Sequence, residues 1–174
     1  HSSGRATIGH GTMREHIESA GKTCWVLFPR LSGDPVFCSL LAVDEPVYFG
    51  MFHIELLNAV NSEQKYLANT PILVTRSYDS EGGAIEVVDF APRFRQFGRM
   101  FCPMMLVRQV RRIAGNPRIR IQLRPAHEYG CERPRPTSGT SHIHYQGGAV
   151  APRSTTGAPT AAAWSCWAGG SELV

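Results

Sequence analysis

Short apolar stretches separated by turn residues recur along the chain, with the periodicity of β-strands. The clearest alternation lies in residues 118–124, where Ile119, Ile121 and Leu123 face one way and the polar residues between them face the other. Residues 52–56 alternate similarly and predict a half-buried strand. No segment of normal helix length has a helical period. The pattern therefore predicts an all-β fold, an antiparallel β-sandwich.

The other predicted strands are also short and are bounded by residues that favour turns. They cover residues 12–18, 22–28, 64–67, 72–78, 84–90, 104–113 and 141–145. Residues 36–41 are apolar and fit either a strand or one helical turn. Residues 92–103 are predicted to be a loop, and the Pro- and Arg-rich residues 132–139 a linker.

Large apolar side chains on these strands are expected to form the core. They are Trp25, Val26, Phe28, Phe37, Leu41, Ile72, Val74, Ile85, Val87, Ile119, Ile121 and Leu123.

Composition divides the chain into three parts. Residues 1–10 are Gly- and Ser-rich and are expected to be loose, and residues 11–146 are expected to form the sandwich. From residue 147 to 174, Gly, Ala, Ser, Thr and Pro dominate and the alternation vanishes. This low-complexity tail is expected to be irregular or disordered and not packed as a strand.

Charge and cysteine content bear on partners and compartment. The formal net charge is +4, and 16 of the 18 basic residues are arginines. Arginine-rich usage fits nucleic-acid binding, or simply charges spread over solvated strand faces, which we favour because no basic run is long enough to form a patch. Five cysteines without a C-x-x-C pair favour a reducing, cytoplasmic setting. No apolar run is long enough to span a membrane.

One stretch resembles a known family. Residues 25–41, WVLFPRLSGDPVFCSLL, are similar to the N-terminal domain of bacterial glucoamylases and trehalases of glycoside hydrolase family 15. Further similar pieces follow in order up to about residue 146: QKYL at 64–67, LVTR at 73–76, VVDFAP at 87–92, LVR at 106–108, IQLRP at 121–125 and Tyr129-Gly130.

The resemblance implies a large β-sandwich that braces a catalytic (α/α)6 barrel acting on α-glucosidic bonds. That barrel needs roughly 190 residues, so it does not fit in this chain beside the sandwich. No catalytic residue, cofactor or metal is therefore expected here, and the isolated chain is expected to be inactive. The barrel, normally on the same polypeptide, is the expected partner, with an α-glucoside as the parent enzyme's substrate and with neither nucleic acid nor membrane as a ligand.

Two loops are candidate sites under this resemblance. Arg30 and Asp34 lie where family loops approach the sugar cleft, although Leu31-Ser32 replaces the usual Phe-Asp, and a salt-bridged structural loop is the alternative. The second loop is an expected interdomain interface that interleaves arginine and phenylalanine, a composition that would also suit a nucleic-acid platform. Its residues are Arg93, Phe94, Arg95, Phe97, Arg99 and Phe101.

Other chemistry is weakly represented. His142 and His144 share one strand face and, with His127 and Cys131, would form a zinc site of unfamiliar spacing; two exposed histidines are the alternative. The carboxylates show no pairing for acid–base catalysis. A free-standing carbohydrate-binding module, with Trp164 and Trp167 stacking on sugars, is a second function class.

Overall fold

A computed structural model of the chain describes residues 5–10, 13–27, 35–39, 50–126, 135–139, 142–146, 153–155, 164–167 and 170–173. These residues form seventeen β-strands and no α-helix. The first eight strands are β1 (Arg5–His10), β2 (Met13–Glu18), β3 (Thr23–Leu27), β4 (Pro35–Phe37), β5 (Met51–Leu56), β6 (Ala59–Tyr66), β7 (Leu73–Asp79) and β8 (Ala84–Phe90). The others are β9 (Phe94–Gln96), β10 (Arg99–Phe101), β11 (Val107–Ala114), β12 (Ile119–Arg124), β13 (Arg135–Ser138), β14 (His142–Gln146), β15 (Arg153–Thr155), β16 (Trp164–Trp167) and β17 (Gly170–Leu173).

The strands form four antiparallel sheets. The large sheet has the order β1-β2-β3-β5-β12-β17-β16, with β4 paired to β3 as its eighth strand. The four-stranded sheet has the order β11-β8-β7-β6, β9 and β10 form a hairpin, and β13-β14-β15 form a three-stranded sheet. The all-β antiparallel prediction is thereby confirmed.

Three hydrophobic clusters join the sheets. One cluster holds Ile54 and Leu56 of the large sheet together with Ile85 and Val87 of the four-stranded sheet. A second joins Ala6, Ile8 and Ile17 of the large sheet to Leu73 of the four-stranded sheet. A third contains Val26, Val36, Phe37 and Leu123 of the large sheet with Ile143 and Tyr145 of the three-stranded sheet. The large sheet thus shares core clusters with the four-stranded sheet and with the three-stranded sheet.

The burial predicted for one face of β12 is confirmed in part. Leu123 is buried and Ile119 and Ile121 are partly buried against the cluster around Ile54, but Arg124 of the predicted polar face is also buried. The register partners of Ile119, Ile121 and Leu123 on β5 are Leu56, Ile54 and Phe52, so apolar side chains lie opposite one another along the pair.

Most of the other expected core residues are buried, with two exceptions. Val26, Phe37, Val74, Ile85 and Val87 are buried. Trp25 and Ile72 are only partly buried. The exposure of Trp25 follows from strand geometry, because its neighbours Cys24 and Val26 face inward and successive side chains point to opposite faces. Phe28 and Leu41 lie outside the described residues.

Residues 5–10 correct the expectation of a loose N-terminal segment. They form β1, which pairs with β2 from Arg5 opposite Glu18 to His10 opposite Met13. Ala6 and Ile8 alternate with exposed residues and enter the core cluster around Leu73, so the apolar alternation of a half-buried strand is present although the segment contains Gly.

Two predicted irregular segments also contain strands. The predicted loop 92–103 contains the β9–β10 hairpin, and the predicted linker 132–139 contains β13. Pro136 lies within β13, which is an edge strand, so the missing N–H removes no hydrogen bond from an interior ladder. The apolar segment 36–41, predicted as a strand or a helical turn, begins with the strand β4.

The tail 147–174 contains three short strands in its described parts. β15 pairs with β14, β16 pairs with β17, and β17 pairs with β12 at the edge of the large sheet. The structure therefore has strands here where composition predicted irregular chain. Backbone groups make these pairings, so they require no apolar alternation in the sequence.

Candidate functional site

A long connection projects between two neighbouring strands of the four-stranded sheet. β8 and β11 are antiparallel neighbours in which Phe90 lies opposite Val107, and residues 91–106, here called the arm, connect them. The arm contains the β9–β10 hairpin. Its two turn residues, Phe97 and Gly98, have φ angles of 51° and 72°, the signs required by a type I′ turn.

The arm exposes an unusual amount of apolar side chain. Phe97 at the turn is 89% exposed. Five further side chains are between 39% and 58% exposed: Phe94, Met100, Phe101, Met104 and Met105. The rings of Phe94 and Phe101 stack across the hairpin with centroids 5.7 Å apart. Apolar groups concentrated in this way on a surface mark a site of interaction with another molecule.

The arm is also positively charged. Arg93, Arg95 and Arg99 are exposed, and none of them forms an ion pair with a carboxylate in the described part of the chain. The sequence from residue 91 to 126 contains nine arginines and no Asp or Glu. Any surface that covers the arm must accept both apolar groups and positive charge.

A buried ion pair closes the base of the arm. Asp89, near the end of β8, lies opposite Arg108, near the start of β11. Arg108 donates from Nε to Oδ1 of Asp89 at 2.8 Å and from Nη2 to Oδ2 at 3.1 Å. Both side chains are almost completely buried. This two-bond geometry fixes the guanidinium plane at the point where the arm leaves the sheet.

The same arginine connects the arm base to the large sheet. Its Nη2 donates to the carbonyl of Gly21 at 2.6 Å and its Nη1 to the carbonyl of Phe52 at 3.1 Å. The guanidinium also lies 4.8 Å from the centroid of the Phe52 ring. Arg108 thus bonds to the four-stranded sheet and to the large sheet. Breaking its contacts would free the arm base from the large sheet.

Glu15 is a second carboxyl group in this buried cluster. Its side chain has no exposure; Oε1 accepts a 2.5 Å hydrogen bond from the Thr23 hydroxyl, whereas Oε2 has no partner among the described residues. Burial raises the pKa of Glu15 to about 8, against the lowering effect of Arg108, and the charge of Asp89 raises it further. Glu15 is therefore largely protonated at neutral pH.

His53 on β5 is the neighbouring titratable group. Burial, followed by the charges of Arg108 and Lys22, lowers the pKa of His53 to about 4. The imidazole is therefore neutral at neutral pH, so the positive charges near it are those of Arg108 and Lys22.

This arrangement of carboxyl groups does not provide a hydrolytic site. Hydrolysis of a glycoside requires two carboxyl groups that flank the scissile bond and reach the substrate. Glu15 and Asp89 are both fully buried, and their polar atoms contact Thr23 and Arg108. The cluster is suited to fixing the arm base.

Three further carboxylates in the described part of the chain pair with arginines: Glu55, Glu63 and Glu86. Glu86 accepts hydrogen bonds from Arg76, at 3.0 Å, and from Arg111. Glu55 lies 3.7 Å from Arg120. These ion pairs lie across neighbouring strands and stabilise their register.

The structure gives no support to a metal site in the part of the chain it describes, where no group of three or more His, Cys, Asp or Glu side chains is suitably placed. The rings of His142 and His144 meet edge to face with centroids 5.2 Å apart. Their proposed co-ligands His127 and Cys131 lie outside the described residues, as do Arg30 and Asp34.

The six predicted interface residues all lie on the arm, five of them in its hairpin, but sequence reasoning missed the buried cluster. Glu15 lies between Met13 and Ile17 at the inward positions of β2. A carboxylate at the core-facing position of an alternating strand was the available signal. Asp89 and Arg108 lie in two of the pieces that resemble the glycoside hydrolase family, but their pairing was not evident.

Comparisons of the chain with protein-family models, with curated proteins and with solved structures found no match. Within the described residues, no helix has the length and apolar character needed to cross a membrane.

Proposed function

We propose that this chain is the non-catalytic N-terminal β-sandwich domain of a family 15 glycoside hydrolase, glucoamylase-like or trehalase-like, and that its arm docks against the catalytic (α/α)6 barrel. The family assignment comes from the sequence resemblance, and the all-β antiparallel fold agrees with it. The observation that carries the docking role is the arm, whose apolar side chains are exposed although the sheets have their own core clusters.

The burial of Glu15 and Asp89 supports a non-catalytic role. Neither side chain is accessible to a sugar, so the parent's acid and base would come from the barrel. The buried, free thiol of Cys24 agrees with the cytoplasmic setting that we propose.

The experiment has two parts. The purified chain is assayed on maltooligosaccharides and trehalose, and no hydrolysis above background is expected. The chain is then added to a family 15 barrel produced without its own N-terminal domain, and a rise in the barrel's thermal midpoint or activity is expected. Turnover above background by the chain alone would refute the non-catalytic assignment, and an unaltered barrel would refute the docking role.

A free-standing carbohydrate-binding module is the second candidate, favoured by the exposed ring of Phe97. Sugar binding of this kind uses an aromatic face and requires no partner domain. Retention on immobilised starch that is lost in the Phe97→Ser variant, together with failure to bind the barrel, would favour this function.

A further inference from the structure

We infer that the surface covering the arm is an apolar pocket of a second protein domain with carboxylates around its rim, which takes the Phe97 ring while the carboxylates pair with Arg93, Arg95 and Arg99. The inference rests on the proposed function for the identity of that domain. It specifies the chemistry of the partner surface, which the proposed function leaves open.

The apolar part of the inference comes from the turn. Phe97 occupies a positive φ of 51°, a region that bulky residues rarely adopt, and its side chain is almost fully exposed. The same turn with Asn at this position would be less strained. A strained, exposed aromatic residue at the apex, flanked by Met100 and the stacked pair Phe94 and Phe101, has the character of an anchor that fills a pocket.

The acidic part comes from charge complementarity. The three exposed arginines of the arm have no carboxylate partner in the described part of the chain, and residues 91–126 contain no acidic residue. Arginine forms two parallel hydrogen bonds with a carboxylate, so a rim of Asp or Glu provides both charge and direction. A second copy of the arm would place arginine against arginine, which argues against self-association through this surface.

The composition favours a protein surface over a membrane. Arg, Phe and Met are enriched at protein interfaces and Lys is depleted there. The arm contains these three residue types and has no Lys, Trp or Tyr. Membrane-interface segments favour Trp and Tyr at the headgroup level and often contain Lys.

The arm base is already in position for such docking. Arg108 bonds to Asp89 on β8, to the carbonyl of Gly21 between β2 and β3, and to the carbonyl of Phe52 on β5. The base is therefore tied to the body of the protein, which lowers the ordering cost of binding.

The test measures binding of the full chain to two probes by calorimetry. The first is a family 15 barrel lacking its N-terminal domain, and the second is a random copolymer of glutamate and tyrosine, with polyglutamate as its charge-only control. Two variants alter the arm, Phe97→Ser and Arg95→Gln. Their matched controls are Val60→Ser, an exposed apolar residue on β6, and Arg14→Gln, an exposed arginine on the large sheet.

We expect the barrel to bind the chain, with affinity falling severalfold when NaCl is raised from about 50 to about 500 mM. Phe97→Ser is expected to weaken binding about tenfold or more, and Arg95→Gln about threefold to tenfold, with both controls unchanged. The chain is also expected to prefer the glutamate–tyrosine copolymer to polyglutamate, and Phe97→Ser should abolish that preference.

The remaining outcomes separate the two proposals. Barrel binding that is indifferent to salt and to Arg95→Gln overturns the acidic rim and leaves the proposed function standing. Failure to bind the barrel, with the copolymer preference retained, overturns the proposed function alone. Binding to neither probe overturns the inference. Phe97-dependent sedimentation with vesicles of phosphatidylcholine and phosphatidylserine, without copolymer preference, also overturns it and assigns the arm to a membrane.

Discussion

Replacing Glu15 by glutamine isolates the effect of burying a carboxyl group between the large sheet and the four-stranded sheet. Glutamine has nearly the same shape, and its Oε1 is able to accept the hydrogen bond from the Thr23 hydroxyl. It has no carboxyl proton to gain or lose, so its stability carries no contribution from titration at this position. Any pH-dependent difference between the two proteins therefore reports Glu15.

The size of the difference follows from the raised pKa. The folded pKa of Glu15 is about 8, against an ordinary value of 4.5, so between these pH values the folded chain holds a proton that the unfolded chain has released. The contribution of this protonated carboxyl group to the free energy of unfolding is fully present below pH 4.5 and is lost as the pH rises through 8. The loss is about 1.4 kcal/mol per pH unit, which amounts to about 3 kcal/mol at pH 7.

Urea denaturation of both proteins between pH 5 and pH 8 provides the assay. The free energy of unfolding of the variant is expected to rise relative to that of the wild type by about 2.5 kcal/mol between pH 5 and pH 7. The free energies of unfolding should be compared as differences between the two proteins, because His53 contributes to the pH dependence of both. Its lowered pKa, about 4, makes stability fall as pH drops from 6.5 towards 4 in both proteins. Parallel curves from pH 5 to pH 8 would refute the reasoning, because they would mean that Arg108 keeps the buried carboxylate charged.

Four further predictions concern single residues. Asp89→Asn leaves the buried guanidinium of Arg108 without its carboxylate and should lower the free energy of unfolding by about 3 to 5 kcal/mol in urea titrations; a loss below about 1 kcal/mol would contradict the buried ion pair. Leu123→Ala should cost about 2 to 5 kcal/mol in the same measurement, because the side chain lies in a core cluster, and a near-neutral result would argue against that packing. His53→Gln should remove part of the stability loss between pH 6.5 and 4, and an unchanged acid limb would show that His53 does not contribute to it. Phe97→Ser should change the thermal midpoint by no more than the equivalent of about 0.5 kcal/mol, since the side chain is exposed, and a large decrease would mean that Phe97 packs against the protein itself.

The strands that the sequence predicted well are those whose signal is local. β12 has a full alternation of apolar and polar residues, and β7 and the largely apolar β8 lie on either side of the turn at 79–83. Two of the strands that it missed have no apolar alternation of their own. β13 contains Pro136 and forms a local hairpin with β14, and β17 pairs with β12 from a distant part of the chain. Both pairings are made by backbone groups, and composition does not report them.

Part of the candidate site was also predictable from local sequence and part was not. The arm was recognisable because its arginines and phenylalanines are adjacent in the sequence. The buried cluster joins Arg108 to Gly21, 87 positions away, and to Asp89, 19 positions away, so no local pattern contains it. Glu15 was visible as a polar residue in an apolar alternation, but the residues that surround it come from other strands.

The position of the arm makes it a natural site for exchanging sequence between related proteins. Strands that are antiparallel neighbours, as β8 and β11 are, need only a two-residue turn to connect them. The chain uses sixteen residues, 91–106, and the ion pair of Asp89 and Arg108 closes the sheet beneath them. Doubling the length of a flexible loop costs only about 0.6 kcal/mol in closure entropy. Arms of other lengths and compositions could therefore be transplanted onto the same two strands, which would change the partner recognised while the framework below keeps its stability.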